Sequence, residues 1–128
     1  MILAVGIDVA SIDRMEAAVA RHGERFVGRL FAPEERALFS GREGRALSAT
    51  IAGRFAAKEA WSKCLDGARG VPWHDVLVLA DRSGRPRIEV RGQAAERCAT
   101  LGVLRAHLSI THDAGVAAAV VVLEGNPL

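Results

Sequence analysis

Arg54-Phe55-Ala56-Ala57-Lys58-Glu59-Ala60-Trp61-Ser62-Lys63 reads as helix: alanines, long charged side chains and a phenylalanine fill it, and neither glycine nor proline interrupts it. The face through Ala52, Ala56, Glu59 and Lys63 carries two alanines, which admit another element at close range. A carboxylate and an ammonium follow on that same face. They form either a solvated i,i+4 pair, worth about 0.2–0.5 kcal/mol, or part of a site. A second misplaced charge favours the site. Asp8 interrupts an otherwise uncharged run, Ile2 to Ile12, that reads as a buried strand. A carboxylate there needs a partner, a hydrogen-bond network or a metal.

In the opening strand, Ile2 to Val9, one face carries Val5, Ile7 and Val9 and the other Ala4, Gly6 and Asp8. Gly6 is expected to leave room above the Asp8 carboxylate. Asp13 is placed as the N-cap of the next helix, with Glu16 completing a capping box. That helix runs through Met15, Ala18 and Val19 and should stop near Gly23, with Arg14 facing solvent in its first turn. Arg25 to Phe31 reads as a short helix or turn, and Pro33 with Glu34 and Glu35 opens another helix through Phe39. After a loop, Ser40 to Arg45, the long helix covers Ala46 to Leu65 and ends at Gly67-Ala68-Arg69-Gly70 before Pro72.

Val76–Leu79 and Arg87–Val90 flank the turn Ser83-Gly84-Arg85-Pro86 and read as a hairpin. A helix is expected at Gln93–Leu101. The last strands, Leu104–Thr111 and Val116–Leu123, join through His112-Asp113-Ala114-Gly115. The almost wholly apolar Val116–Leu123 is expected to be central or covered on both sides. No repeat, low-complexity tract or linker divides the chain, so residues 1–128 are read as one domain.

Half of the residues are apolar but only 5% are aromatic, so the core must be built from Ala, Val, Leu and Ile. Such small side chains also suit close subunit packing. A net charge of +2 is too mild to imply nucleic acid, though it helps attract phosphates or an acidic protein. Cys64 and Cys98 lie in different predicted helices; a disulfide scaffold needs more cysteines and a zinc site usually needs four ligands. Both are read as reduced thiols. No run of about 18 apolar residues suggests a membrane span, and no basic region precedes an apolar core at the N-terminus. The default location is the cytoplasm, with no membrane or nucleic-acid partner.

His22, His74, His107 and His112 do not converge by spacing, which argues against a zinc hydrolase. His112, at a strand end, reads by itself as a surface group or a satisfied hydrogen-bonder rather than a ligand. There is no phosphate-loop pattern and no dinucleotide fingerprint. Asp8 and Glu59 suit a hard cation that prefers oxygen. Lys63 suits phosphate oxygens, and Gly67 and Gly70 leave space for a phosphate or ribose at the helix end. Ser109 and Thr111 share one face of the strand that His112 ends.

Five blocks, in order, carry a resemblance that spans nearly the whole chain. They are Gly6-Ile7-Asp8-Val9-Ala10-Ser11-Ile12; Arg25-Phe26 through Phe31-Ala32-Pro33-Glu34-Glu35; Arg54-Phe55-Ala56-Ala57-Lys58-Glu59-Ala60 with Lys63; Gly84-Arg85-Pro86; and Ser109-Ile110-Thr111-His112. Together they resemble holo-[acyl-carrier-protein] synthase, the small bacterial class of 4′-phosphopantetheinyl transferases. The resemblance implies an α+β fold with one long helix packed against a small antiparallel sheet. It implies transfer of the phosphopantetheine arm of coenzyme A to a serine of acyl carrier protein, with adenosine 3′,5′-bisphosphate as the other product. It further implies a homotrimer with active sites between subunits.

Carried over residue by residue, Asp8 and Glu59 match the magnesium ligands, and these two with Lys63 form the catalytic set. Lys63 and His112 match residues that hold the coenzyme A phosphates; Gly67, Ser109 and Thr111 complete the implied nucleotide site. Arg14 falls in the helix region that meets the acidic carrier protein. Glu59 is the candidate general base, directly or through a metal-bound water. The chain departs from the family at Trp61, in Cys64-Leu65-Asp66-Gly67-Ala68-Arg69-Gly70 around the usual glycine-rich turn, and at Val116. Two rival classes stand beside this one: a coenzyme A or nucleotide binding module without catalysis, and a structural subunit whose charged pairs are only salt bridges.

Overall fold

Small residues decide how the long helix meets the sheet. The computed structural model describes residues Met1–Leu128. The helix α3 (Gly44–Cys64) lies across a three-stranded antiparallel sheet formed by β1 (Ile2–Ser11), β5 (Val116–Gly125) and β4 (Val103–Asp113), with β5 in the centre. Ala52, Ala56 and Ala60 of α3 are fully buried, as is Ala117 of β5. At Gly6 the backbones meet: an added Cβ would lie 1.9 Å from the Ala60 carbonyl oxygen. The space expected above Asp8 is therefore filled by α3 itself. A Gly6→Ala substitution must push α3 off β1 and should cost about 3 kcal/mol or more, read as a lower midpoint in urea unfolding.

Register sets which side chains meet α3. Asp8 pairs with Ala119 and Ala119 with Ile110, so all three face the helix. Ile7, Val120 and Ser109 form the next row, and Val9, Ala118 and Thr111 the row after that, on the opposite face. That opposite face is open: Val5, Ile7 and Val9 are 60%, 61% and 58% exposed. The opening strand, expected to be buried, is thus buried on one side only.

The helix α1 (Ile12–Leu30) continues directly from β1. Its N-cap is Ser11, whose hydroxyl accepts from the Arg14 N–H at 3.1 Å, rather than Asp13 with Glu16. Asp13 instead pairs with Arg45 at the start of α3. Gly23 (φ 56°, ψ −141°) breaks α1 without ending it, and the second half resumes through Leu30. Then come α2 (Pro33–Arg36) and a 3₁₀ turn, Ala37–Phe39. A separate hairpin pairs β2 (Val76–Ala80) with β3 (Pro86–Val90), and α4 (Gly92–Leu101) leads into β4.

One core cluster gathers Ala56, Ala57, Ala60 and Trp61 of α3 with Val76, Val78, Ala94 and Cys98. A second joins Met15, Val27, Leu30, Phe31 and Phe39 to Ile51. Trp61 is 1% exposed, so its bulk serves the core. Burial pushes the Cys64 thiol up to about 11 and raises Cys98 as well. Both cysteines are free and protonated near neutral pH.

Candidate active site

The junction of β1 and α3 brings the three leading candidates together. The Lys63 ammonium donates to Asp8 Oδ1 at 2.9 Å and to the Ile7 carbonyl at 3.1 Å. Lys63 therefore reaches across to β1 instead of back along its helix to Glu59. The close seat of α3 on Gly6 puts the carboxylate of the neighbouring strand within range. The Asp8 side chain is 17% exposed and that of Lys63 is 54% exposed.

Glu59 stands beside this pair. Partial burial raises its carboxyl above the usual range, and the negative charge of Asp8 raises it further, against the pull of Lys63. Two carboxylates thus share one corner, and the single ammonium there is bonded to Asp8. No group of three or more His, Cys, Asp or Glu side chains could hold a metal. The donors fit a hard cation that takes one or two protein carboxylates and draws its other ligands from water and phosphate, which is how Mg²⁺ is usually bound. A cation there would also relieve the repulsion that raises Glu59.

The sign of that shift gives a test. A carboxyl raised on folding contributes stability below its unfolded value and loses it as pH rises through the folded value. Glu59→Gln should therefore raise the melting temperature at pH 7 in a chelator. The difference should vanish as pH falls below about 4, where the unfolded carboxyl is protonated too. Thermal melts across pH measure it.

The remaining candidates lie apart from this corner. Ser109 and Thr111 are exposed on the open face of the sheet, turned away from Asp8. His112 pairs with Ala117, which pairs with Ala10. It stands at the sheet rim two strands from β1, roughly 10 Å across, beside Arg45 and Ala49 in a hollow at the start of α3.

Gly67 closes the turn after α3. Its N–H bonds the Ser62 carbonyl at 2.9 Å, and it lines a small cavity with Ser62 and Trp73. Asp66, Gly67 and Ala68 take φ values of 53°, 88° and 46° in succession. The turn therefore follows a left-handed path even where it holds alanine, at a cost of about 1–2 kcal/mol for such a residue.

Arg14 is exposed in the first turn of α1, as expected. Arg21, seven residues on, shares a shallow depression with it. Nothing in the sequence marks Arg21 beyond its i,i+7 spacing, which places it on the same helix face. Nor does anything there mark the buried ion pair between Lys58 and Glu35, although both residues lie inside the quoted motifs.

The profile of the 4′-phosphopantetheinyl transferase superfamily matches residues 4–121. A holo-[acyl-carrier-protein] synthase of Anaeromyxobacter sp. (strain K) is 48% identical over 129 residues, covering 98% of each chain. The crystal structure of the holo-[acyl-carrier-protein] synthase of Neisseria meningitidis superposes with a TM-score of 0.85 at 30% identity, covering 97% of this chain and 99% of that one. That of the Helicobacter pylori enzyme, in complex with coenzyme A, does so at 0.80 and 34% identity, covering 94% and 99%. The chain belongs to the holo-[acyl-carrier-protein] synthase family within that superfamily. Its α+β architecture, a long helix on a small antiparallel sheet, is the fold of that family.

Proposed function

We propose that Asp8, Glu59 and Lys63 carry out this family's reaction, in a magnesium-dependent site completed by a neighbouring subunit. The chain transfers the 4′-phosphopantetheine arm from coenzyme A to a serine of apo acyl carrier protein and releases adenosine 3′,5′-bisphosphate. The observation that carries the site assignment is the meeting of two carboxylates and one ammonium at the junction of β1 and α3.

Asp8 and Glu59 would hold Mg²⁺, which when bound supplies charge neutralisation on the pyrophosphate. Lys63, free to turn from Asp8 to phosphate oxygens, stabilises the negative charge that builds there. The carrier serine hydroxyl attacks the phosphorus that bears the pantetheine arm, and the bond from that phosphorus to the bridging oxygen breaks. The serine proton passes to Glu59, directly or through a water. Gly67, one turn past Lys63, leaves room for the nucleotide.

A homotrimer accounts for two features that one chain leaves unexplained. Val5, Ile7 and Val9 form an exposed apolar sheet face, the kind of surface that marks an interaction site. Ser109 and Thr111 point out from that same face. In the assembly they, with His112, would serve a neighbour's coenzyme A cleft. Residues 1–128 act as one phosphopantetheinyl transferase domain in this reading. No helix is long and apolar enough to cross a membrane, and we place the protein in the cytoplasm.

Intact-mass measurement of apo carrier protein, after incubation with the chain, coenzyme A and Mg²⁺, tests the function. The carrier should gain one phosphopantetheine arm, and only when all components are present. Coenzyme A affinity without transfer would favour a binding module; neither affinity nor transfer would leave a structural subunit.

Arg14 would meet the acidic carrier protein. Opposite charge mainly speeds encounter and fixes orientation, so Arg14→Glu should raise the KM for the carrier about tenfold at low salt. The KM for coenzyme A should stay near its original value. Salt should shrink the difference, since the Debye length falls to about 3 Å at 1 M. Steady-state kinetics varying each substrate separately checks this; an equal loss for coenzyme A would remove Arg14 from the docking surface.

A further inference from the structure

The most completely bonded charged group in the molecule lies outside the site. Lys58 and Glu35 are buried to 1% and 0% exposure. The three donors of the Lys58 ammonium meet three acceptors: the Leu30 carbonyl at 2.8 Å, Glu35 Oε1 at 2.8 Å and the Trp73 carbonyl at 2.9 Å. Glu35 Oε1 also accepts from the Ala32 N–H at 2.9 Å, and its Oε2 accepts from the Val78 N–H at 2.9 Å. One ion pair thus ties α3 to the end of α1, the start of α2, the turn before β2 and β2 itself.

Lys58 immediately precedes Glu59, so the two side chains leave α3 about 100° apart. One enters this knot and the other stands beside Asp8. Opposite Lys58, α3 meets the sheet through Ala52, Ala56 and Ala60, seated on Gly6 of β1. A face so smooth allows close approach but offers few ridges to stop the helix turning about its axis. Directional hydrogen bonds at Lys58 add such a stop to the one that the buried Trp61 and Ile51 give by packing. A carboxylate roughly 6 Å from the helix axis moves about 1 Å for each 10° of rotation. A displacement of that size in a reacting assembly costs on the order of 100-fold.

We propose that the Lys58–Glu35 pair is a positioning device: it sets the rotation of α3 so that Glu59 faces Asp8 in the geometry that holds the divalent cation. This rests on the assignment of Asp8 and Glu59 as the cation site. Glu35 is fully buried and all three donors of the Lys58 ammonium are occupied within the protein, so the pair acts on the site through α3.

The test uses the full chain with Lys58→Met and Glu35→Gln together, which removes both charges at similar volume and leaves neither charge buried without its partner. Glu35→Gln alone is the second variant, since it keeps the ammonium and the side-chain volume but presents an amide NH₂ to part of the donor set. Three quantities are read: the melting temperature in a chelator, the Kd for Mn²⁺ by electron paramagnetic resonance, and kcat with coenzyme A and carrier saturating. The expected result is a folded variant whose Mn²⁺ Kd rises, and whose kcat falls, by about 10- to 100-fold, with the KM for coenzyme A within about threefold at saturating Mg²⁺. A merely structural pair would lower the melting temperature and leave Mn²⁺ affinity and kcat per folded molecule unchanged; that result overturns the proposal. If the double variant does not fold, the same readings on Glu35→Gln decide in the same way. Glu59→Gln is measured alongside. Unaltered Mn²⁺ binding there would overturn the site assignment itself, whereas weakened binding there with normal binding in the knot variants would overturn only the positioning role.

Discussion

Asp8→Ala and Glu59→Ala should each slow transfer by about 10³-fold or more in a protein that still folds. The two carboxylates are the groups at the β1–α3 junction able to hold a divalent cation, and neither supports the core. Asp8→Ala frees a Lys63 side chain that is already 54% exposed and can return to water. Glu59→Ala removes a carboxyl that burial and Asp8 both disfavour in its charged form. Melting temperatures in a chelator should therefore stay within a few degrees of the parent, with Glu59→Ala no lower. Mg²⁺ should stabilise the parent and neither variant, because only a binder of the folded state shifts the melt. Carrier-protein turnover by intact mass, with melts on the same samples, measures both halves. Near-normal rates for both variants at saturating Mg²⁺ would remove the site.

Ile7→Lys should give a monomer with little activity. Ile7 is 61% exposed in the isolated chain, between Val5 and Val9 on the open sheet face. A lysine there changes nothing in the chain's own core, but burying its ammonium against an apolar neighbour costs several kcal/mol. If each cleft needs Ser109 and Thr111 from a second subunit, loss of assembly removes the nucleotide site even though Asp8, Glu59 and Lys63 are intact. Light scattering at micromolar concentration should show the parent as a trimer and the variant as a monomer, with kcat/KM for coenzyme A down about 100-fold or more. A fully active monomer would refute the shared cleft.

Much of this site was legible before any coordinates. Asp8 stood out because a lone carboxylate in an apolar strand must be answered by something, and Lys63 answers it. Glu59 and Lys63 were correctly placed on one helix face, and the strands and the hairpin fall where their apolar runs and turn residues put them. What could not be read has particular causes. Ser11 ends the strand run and also caps the helix, so the Asp13-x-x-Glu16 pattern competed for a boundary that lies two residues earlier. Gly23 meets the composition rule for a helix end, and the backbone does leave the helical region there (φ 56°, ψ −141°); a second helical stretch follows at once because Val27 and Leu30 have core to bury against. Lys58 looks like any solvated helix lysine, because its partner lies 23 residues away in sequence and is brought near only by the tertiary fold. An alternating strand declares two faces but not what covers each of them. Val5, Ile7 and Val9 read as core, and the chain alone leaves them uncovered.

Crystals grown with coenzyme A and Mn²⁺ in place of Mg²⁺ would test the central claim most directly, through anomalous scattering at the manganese edge. One strong peak is expected between the Asp8 and Glu59 carboxylates, with Lys63 turned from Asp8 onto a phosphate oxygen. Ser109 and Thr111 of a neighbouring subunit should face the same nucleotide. A peak held by other residues, or a coenzyme A bound wholly within one chain with the open sheet face in solvent, would contradict that claim.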